Sequence, residues 1–294
     1  MTGEQRGAWP TTPAVSADDT VGRGPQTRSW WQRRNAVVAP AALFALLLVV
    51  WETVVRILNT PNWLLPGPSQ ILLATWETRE LLWMHSGQTL YETWLGLALA
   101  LVAGLLLAFA IDSAPLLRRT LYPLLVASQT VPIIAIAPLL IVWFGFGVLP
   151  KVIIVALVCF FPIAVNTADG LRSVDPDLVS LLRSMGANRR QVFLKARLPA
   201  SLPLFFSGLK IAVTYAVIGA VIGEWVGASR GLGIFMLRSQ HSYLVDQVFA
   251  AIMIVSLLSI TMFLAVTTLE RALLPWYYTS ARQEQWEEIS RGSR

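Results

Sequence analysis

Charge is what this chain has least of. Only 14% of its 294 residues are Asp, Glu, Lys or Arg, while 55% are hydrophobic. Ordinary soluble domains carry about a quarter charged residues, so the balance excludes a soluble globular fold and indicates an integral membrane protein. A single cysteine, Cys159, excludes an intramolecular disulfide, and its apolar neighbours make it a buried, inert thiol rather than a nucleophile. The only lysines are Lys151, Lys195 and Lys210, and none completes G-x-x-x-x-G-K-[ST]. The chain therefore lacks that motif for cradling the phosphates of ATP. The only histidines, His85 and His241, are expected in different loops outside the membrane, and no His, Cys, Asp or Glu cluster has metal-ligand spacing. No catalytic constellation, metal site or cofactor is expected, and the chain by itself is not expected to be an enzyme.

What is present is a series of long apolar runs. A spanning helix needs roughly 20 such residues, and six runs are candidates: 36–51, 93–111, 120–150, 152–168, the stretch from Leu198 to Glu224 interrupted by Lys210, and 248–269. Pro132 and Pro138 each remove a backbone donor from the longest run, which is read as one broken span. With the N-terminus inside, the inner segments hold 17 Lys and Arg: five before residue 36, then Arg118 and Arg119, six from Arg172 to Arg197, and four from Arg271 onward. The outer segments hold five, Arg56, Arg79, Lys151, Arg230 and Arg238. This bias orients both termini to the cytoplasm. It also accounts for the net charge of +6 without nucleic acid binding.

The expected organisation is a disordered cytoplasmic leader at 1–35, a six-span domain at 36–276 and a cytoplasmic tail at 277–294. The leader lacks hydrophobic periodicity, and it is not a cleavable signal peptide because the first apolar run begins too late and is too long. Trp30, Trp31, Trp94, Trp143, Trp225 and Trp276 lie near expected span ends, where an amphipathic ring suits the headgroup zone.

The segment LLRSMGANRRQVFLKARLP, 181–199, carries Arg183, Arg189, Arg190, Lys195 and Arg197. Asp175 followed by Pro176 is a helix-start signal. Leu178, Leu181, Leu182 and Met185 then recur at spacings of three and four, an apolar stripe that Gly186 closes with a left-handed stop. Asn188 with Gln191 fits a capping box for a second short helix ending before Leu198-Pro199. An apolar ridge flanked by cations either lies on the membrane against anionic headgroups or docks in a groove on a soluble partner. Composition and periodicity leave both readings open.

At these residues the chain resembles the membrane permeases of binding-protein-dependent ABC importers, in the nitrate, sulfonate and taurine branch. In that family a cytoplasmic loop carries Glu-Ala-Ala, three residues, Gly and a later Leu-Pro, and docks into the ATPase subunit. Gly186-Ala187 and Leu198-Pro199 stand at the family spacing, whereas the Glu-Ala-Ala positions are Ser180-Leu181-Leu182. The family's acidic contact is thus absent. LLPGPSQIL, QTVPIIAIAPLLIVWFGFG from Gln129 and GEWVGASRGLG from Gly223 are similar to the same branch in order and separation, so that the likeness covers roughly residues 51–276.

The resemblance implies an all-α integral membrane fold with six transmembrane helices in the type I importer arrangement and a cytoplasmic coupling-helix loop. It implies a permease of the bacterial plasma (inner) membrane that translocates a small solute, with ATP hydrolysed by a separate chain. Its implied partners are ABC ATPase subunits, an extracytoplasmic substrate-binding protein, a second permease copy forming a homodimer or a close relative in its place, and the lipid membrane. The coupling residues would be Leu181, Leu182, Met185, Gly186, Ala187, Arg189, Leu198 and Pro199, the apolar ridge filling the ATPase groove and the charges setting register. GEWVGASRGLG is most similar to importers of heterocyclic vitamins or precursors, such as riboflavin or the thiamine pyrimidine. Sulfonates, taurine and nitrate are the alternatives, since specificity in this family resides largely in the binding protein.

Pro132 and Pro138 are candidates for the translocation path, because irregular backbone at membrane depth is tolerated where it faces a watery cavity or is satisfied by packing. Plain kinks that help helices pack are the other reading. Glu224, ionisable within a span, is the third candidate and is expected at the outer end beside Trp225, within reach of water; simple interfacial placement is its alternative. Lys210 is expected to snorkel, and Gly145 and Gly147 to serve close packing, with a hinge as the alternative. Residues 228–233, with Arg230, are expected to form an external loop that touches the binding protein. An ion-coupled transporter would need intramembrane acids and paired, interrupted repeats, whereas the longest spans hold no acid. Against a membrane-embedded scaffold, only the family pattern argues.

Overall fold

The computed structural model describes residues 30–277 of the chain. The expected leader, up to residue 29, and the tail beyond Tyr277 lie outside the described residues. Residues 30–35, expected in the leader, are already helical, for helix α1 runs over Trp30–Ile57. The chain divides between Thr53 and Val54. Before that boundary α1 exposes Leu43, Phe44, Leu46, Leu47 and Val49, an all-round apolar surface of the kind a bilayer would cover.

After the boundary come α2 (Pro68–Glu77), α3 (Arg79–Ser113), α4 (Pro115–Ser128), α5 (Ile133–Phe144), α6 (Leu149–Gly170), α7 (Pro176–Ser184), α8 (Arg189–Val192), a wide turn at Phe193–Arg197, α9 (Leu198–Gly227), α10 (Leu232–His241) and α11 (Val245–Leu273). Five helical stretches are long and apolar enough to cross a membrane, and the bent pair α4 and α5 makes six if counted as one span. The axes of that pair differ by 96°. Pro132 sits at the break as the residue before α5, while Pro138 lies inside α5 without ending it.

The core is built by α3, α6 and α9, with α11 along one side. Leu97 and Ala100 meet Val155, Cys159 and Ile163, which meet Ala212, Ala216 and Val217. Small residues allow this closeness, as they do wherever helices associate without a hydrophobic drive from water. A Cβ on Gly96 would fall on the Val155 side chain, and one on Gly208 on the Pro162 carbonyl oxygen. Cys159 is buried and its thiol donates to the Ala212 carbonyl at 3.2 Å.

Several expectations are corrected here. Gly145 and Gly147 face open space rather than a packed neighbour; Gly145 instead ends α5 at φ +77°, ψ −178°, a conformation essentially reserved for glycine. The helix opened by Asn188 does not end before Leu198. It runs on unbroken over Arg189–Gly227, 39 residues. Pro199 has no N–H for the carbonyl four residues back, and a wide i→i+5 turn, closed by the Leu198 N–H on the Phe193 carbonyl, carries the helix past it. Lys210 does not snorkel: its Nζ is 2.9 Å from Glu270 Oε2 on α11. Finally, α3 begins fourteen residues before the expected span start at Thr93, which moves His85 out of a loop and into a helix.

Candidate functional site

One end of the bundle carries α7 as a projecting ridge. The Asp175 carboxylate accepts the Asp177 N–H at 2.8 Å, and Pro176 takes the first helical position, where its missing N–H is no loss. At the other end of α7 Gly186 adopts φ +84°. Its N–H donates to Arg183 and that of Ala187 to Leu182, at 2.9 and 3.0 Å, the paired bonds by which a left-handed glycine closes a helix. Asn188 Oδ1 then accepts the Gln191 N–H while Gln191 Oε1 accepts the Asn188 N–H, at 2.9 and 2.8 Å. The first helix, the glycine hinge and the capped start of the second helix therefore stand as expected, the end of the second helix excepted.

Leu181 and Met185 are 58% and 76% exposed, and Leu178 is exposed beside them. Leu182 turns inward and, with Leu178, lines a groove of about 470 Å³ completed by Pro199, Pro203, Trp276 and Tyr277. Of the coupling candidates, Leu181, Leu182, Met185, Gly186, Ala187 and Arg189 share the projecting segment. Pro199 joins them through the groove, and Leu198 sits half-buried at the start of α9 without lining it. Ser180, at the first of the family's Glu-Ala-Ala positions, turns its hydroxyl back on the Pro176 carbonyl at 2.9 Å.

The five cations of the segment divide. Arg197 is 3.2 Å from Asp112 at the end of α3 and so ties the segment to the bundle. Arg183, Arg189, Arg190 and Lys195 have no ion pair among the described residues.

A buried polar network occupies the opposite end of α9. Glu224 is fully enclosed rather than in reach of water. Its Oε1 accepts the Thr89 hydroxyl at 2.7 Å and its Oε2 the Gly233 N–H at 2.5 Å. The same Thr89 oxygen accepts the Leu232 N–H at 2.9 Å, and His85 Nδ1 accepts the Gly231 N–H at 2.9 Å. Three consecutive N–H groups at the start of α10, orphans that every helix start must satisfy, are thus held by side chains of α3 and α9. Beside them Lys151 Nζ lies 2.9 Å from Glu92 Oε1, which also accepts from Gln88 at 2.7 Å. Glu92 is fully buried, and its Oε2 has no hydrogen-bond partner among the described residues.

The arrangement explains one glycine of GEWVGASRGLG. Gly231 has φ +131° and ψ 161°, a glycine-only conformation, and a Cβ there would collide with the Glu224 carboxylate. Gly231→Ala is expected to cost about 1–3 kcal/mol from the backbone alone, read as a lowered unfolding midpoint in detergent. Glu224→Ala in the same chain removes the collision but not the backbone strain, so it should recover only part of the loss.

The expected external loop, 228–233, is therefore half anchored: Ser229 and Arg230 are exposed, and 231–233 are buried. The path candidates are not brought together, since Pro132 and Pro138 lie exposed along α5 while the partners of Glu224 are on α3 and α10. Sequence reading missed His85, Thr89, Glu92 and Lys151. The first three recur at i, i+4 and i+7, one helix face, which was the available signal.

Residues 100–275 match the family described as binding-protein-dependent transport system inner membrane component. The formylaminopyrimidine transport permease protein ThiX of Halalkalibacterium halodurans is 44% identical over 246 residues, covering 83% of this chain and 98% of that protein. The riboflavin transport system permease protein RibX of Chloroflexus aurantiacus is 33% identical over 254 residues, covering 86% and 95%. Among solved structures, an amino acid ABC transporter aligns with TM-score 0.54 at 17% identity, over 68% of this chain and 96% of that one; at that identity the likeness concerns the fold.

Proposed function

The chain belongs to the binding-protein-dependent transport system inner membrane components, and from that membership we propose that it imports a formylaminopyrimidine-type precursor of thiamine. It is the permease subunit of an ABC importer, and ATP is hydrolysed on a separate chain. The observation that carries the substrate reading is the 44% identity to ThiX over 98% of that protein's length. Riboflavin is the second reading, favoured by the relation to RibX.

In this proposal α7 is the docking ridge for the ATPase, with Leu181 and Met185 offered to an apolar groove and Arg189 setting register. The α7 face is cytoplasmic, both termini lie on that side, and two copies of the chain pair in the membrane. Closure of the ATPase pair pushes on α7 and reaches α9 through the unbroken helix from Arg189. The three path candidates, Pro132, Pro138 and Glu224, then act differently: Pro132 stands at the bend of α4 against α5, Pro138 frees a backbone carbonyl within α5, and Glu224 holds the external loop whose Arg230 faces the binding protein.

The test is ATPase activity of the complete complex in lipid nanodiscs with its binding protein, across formylaminopyrimidine, riboflavin, taurine, an alkanesulfonate and nitrate. Stimulation of several-fold by formylaminopyrimidine alone is expected. Stimulation by riboflavin alone would transfer the assignment to the second reading, and stimulation by taurine, the sulfonate or nitrate would overturn both.

A further inference from the structure

The 39-residue helix that starts at Arg189 has an irregular stretch close to α7, the wide turn at Phe193–Arg197. A turn of this kind is where a helix bends or shifts register when it is pushed. Two side chains of α3 hold it at both ends. The Phe109 ring meets the Phe193 ring edge-on, with centroids 6.1 Å apart, and both Asp112 carboxylate oxygens accept from Arg197 Nη1, at 3.3 and 3.2 Å. Phe109 and Asp112 are one turn apart on α3, while Phe193 and Arg197 are the first and last residues of the wide turn. The Asp112 side chain is 13% exposed and that of Arg197 33%, so the pair is partly shielded from the water that weakens surface ion pairs.

The same two helices are bound again at the other end of the bundle, where the Thr89 hydroxyl donates to Glu224 at 2.7 Å. Thr89 and Asp112 stand about 35 Å apart along α3 at 1.5 Å per residue. Between these ties α3 and α9 each pack closely on α6, Gly96 and Gly104 against Val155 and Ile163, Gly208 against Pro162. Apolar contacts of that sort are non-directional and let packed helices slide past one another. A directional bond at each end prevents the slide.

We infer that Phe109 and Asp112 are positioning residues for import. They keep the wide turn from absorbing the displacement of α7, so that α3 and the helix from Arg189 move as one piece. The start of α10 follows, because α3 holds it through His85 and Thr89. The inference rests on the reading of α7 as the site on which the ATPase acts.

The test needs no solute. The permease in nanodiscs, with its ATPase subunits bound, is titrated with the binding protein in the absence of nucleotide and with a non-hydrolysable ATP analogue; the ratio of the two affinities is read. A several-fold ratio is expected for the unaltered protein. Asp112→Ala and Arg197→Ala should each bring it to within twofold of one at undiminished ATPase binding, and the double variant should go no further, since both remove the same bond. Phe109→Ala, which loses the ring contact alone, should fall between. Arg197→Lys keeps a cation for a contact that one nitrogen makes, and should keep most of the ratio. The exchanged pair, Asp112→Arg with Arg197→Asp, should recover at least half of it on a logarithmic scale. An unaltered ratio in Asp112→Ala overturns the inference, as does a loss that neither Arg197→Lys nor the exchanged pair avoids. A ratio of one in the unaltered protein overturns it as well. Gly186→Pro, measured alongside, separates the grip from α7 itself. A ratio lost there but kept in Asp112→Ala removes the grip and leaves α7 standing, whereas a ratio kept in Gly186→Pro removes α7 and the inference with it.

Discussion

Lys151→Met is expected to lower the stability of this protein by about 3–5 kcal/mol, the range for removing one partner of a buried ion pair. Among the described residues Lys151 is the cation paired with Glu92, whose side chain is fully enclosed, and Gln88 would be left to satisfy one carboxylate oxygen alone. The other oxygen already has no hydrogen-bond partner among the described residues. The measurement is the unfolding midpoint in mixed detergent. Adding Glu92→Leu to the same chain should recover most of the loss, because two apolar groups of similar size are tolerated where one buried charge is not. A double variant no better than Lys151→Met would show that the pair is not what fails.

The second large effect is on transport rather than stability. Gly186→Pro should reduce solute uptake more than tenfold while the protein still inserts and its apolar core remains packed. Proline is locked near φ −65°, whereas Gly186 sits at +84°, and its N–H bond to the Arg183 carbonyl would also be lost. The ridge would then leave the orientation set by Asp175 at one end and Asn188 at the other. The checks are uptake into proteoliposomes and ATPase activity in parallel. Hydrolysis without uptake is the expected signature of a displaced ridge, and uptake at the unaltered rate would remove α7 from the coupling path.

These two sites differ in how well the sequence announces them. The α7 segment is legible because its determinants are local: an Asp cap and a proline at one end, a glycine stop at the other, an Asn and Gln that cap each other three residues apart. The Glu92 and Glu224 network is not, because its partners are 59 and 135 residues apart in sequence. Hydropathy places the polar stretch before Thr93 outside the membrane, since it averages over a helix face; yet His85, Thr89 and Glu92 all turn to the same side of α3. Lys210 is misread for the same reason, its partner Glu270 being 60 residues away. Pro199 misleads differently, as a helix breaker that the wide turn before it accommodates. Five of the six expected spans each fall within one longer helix, since long apolar runs decide existence far better than boundaries; 36–51, for example, falls within α1, which starts earlier and ends later.

The continuous helix from Arg189 to Gly227 spans 39 residues, about 58 Å at 1.5 Å per residue. It starts beside α7 and ends on the carboxylate that fastens the loop of Ser229 and Arg230. If α7 receives the ATPase and this loop the binding protein, as proposed above, one element joins the two sites, and thermodynamics then imposes a symmetry on them. If engaging one face changes the affinity at the other by some factor, engaging the second must change the first by that same factor. Titrating the binding protein with and without bound ATPase, and the ATPase with and without bound binding protein, should return a single ratio.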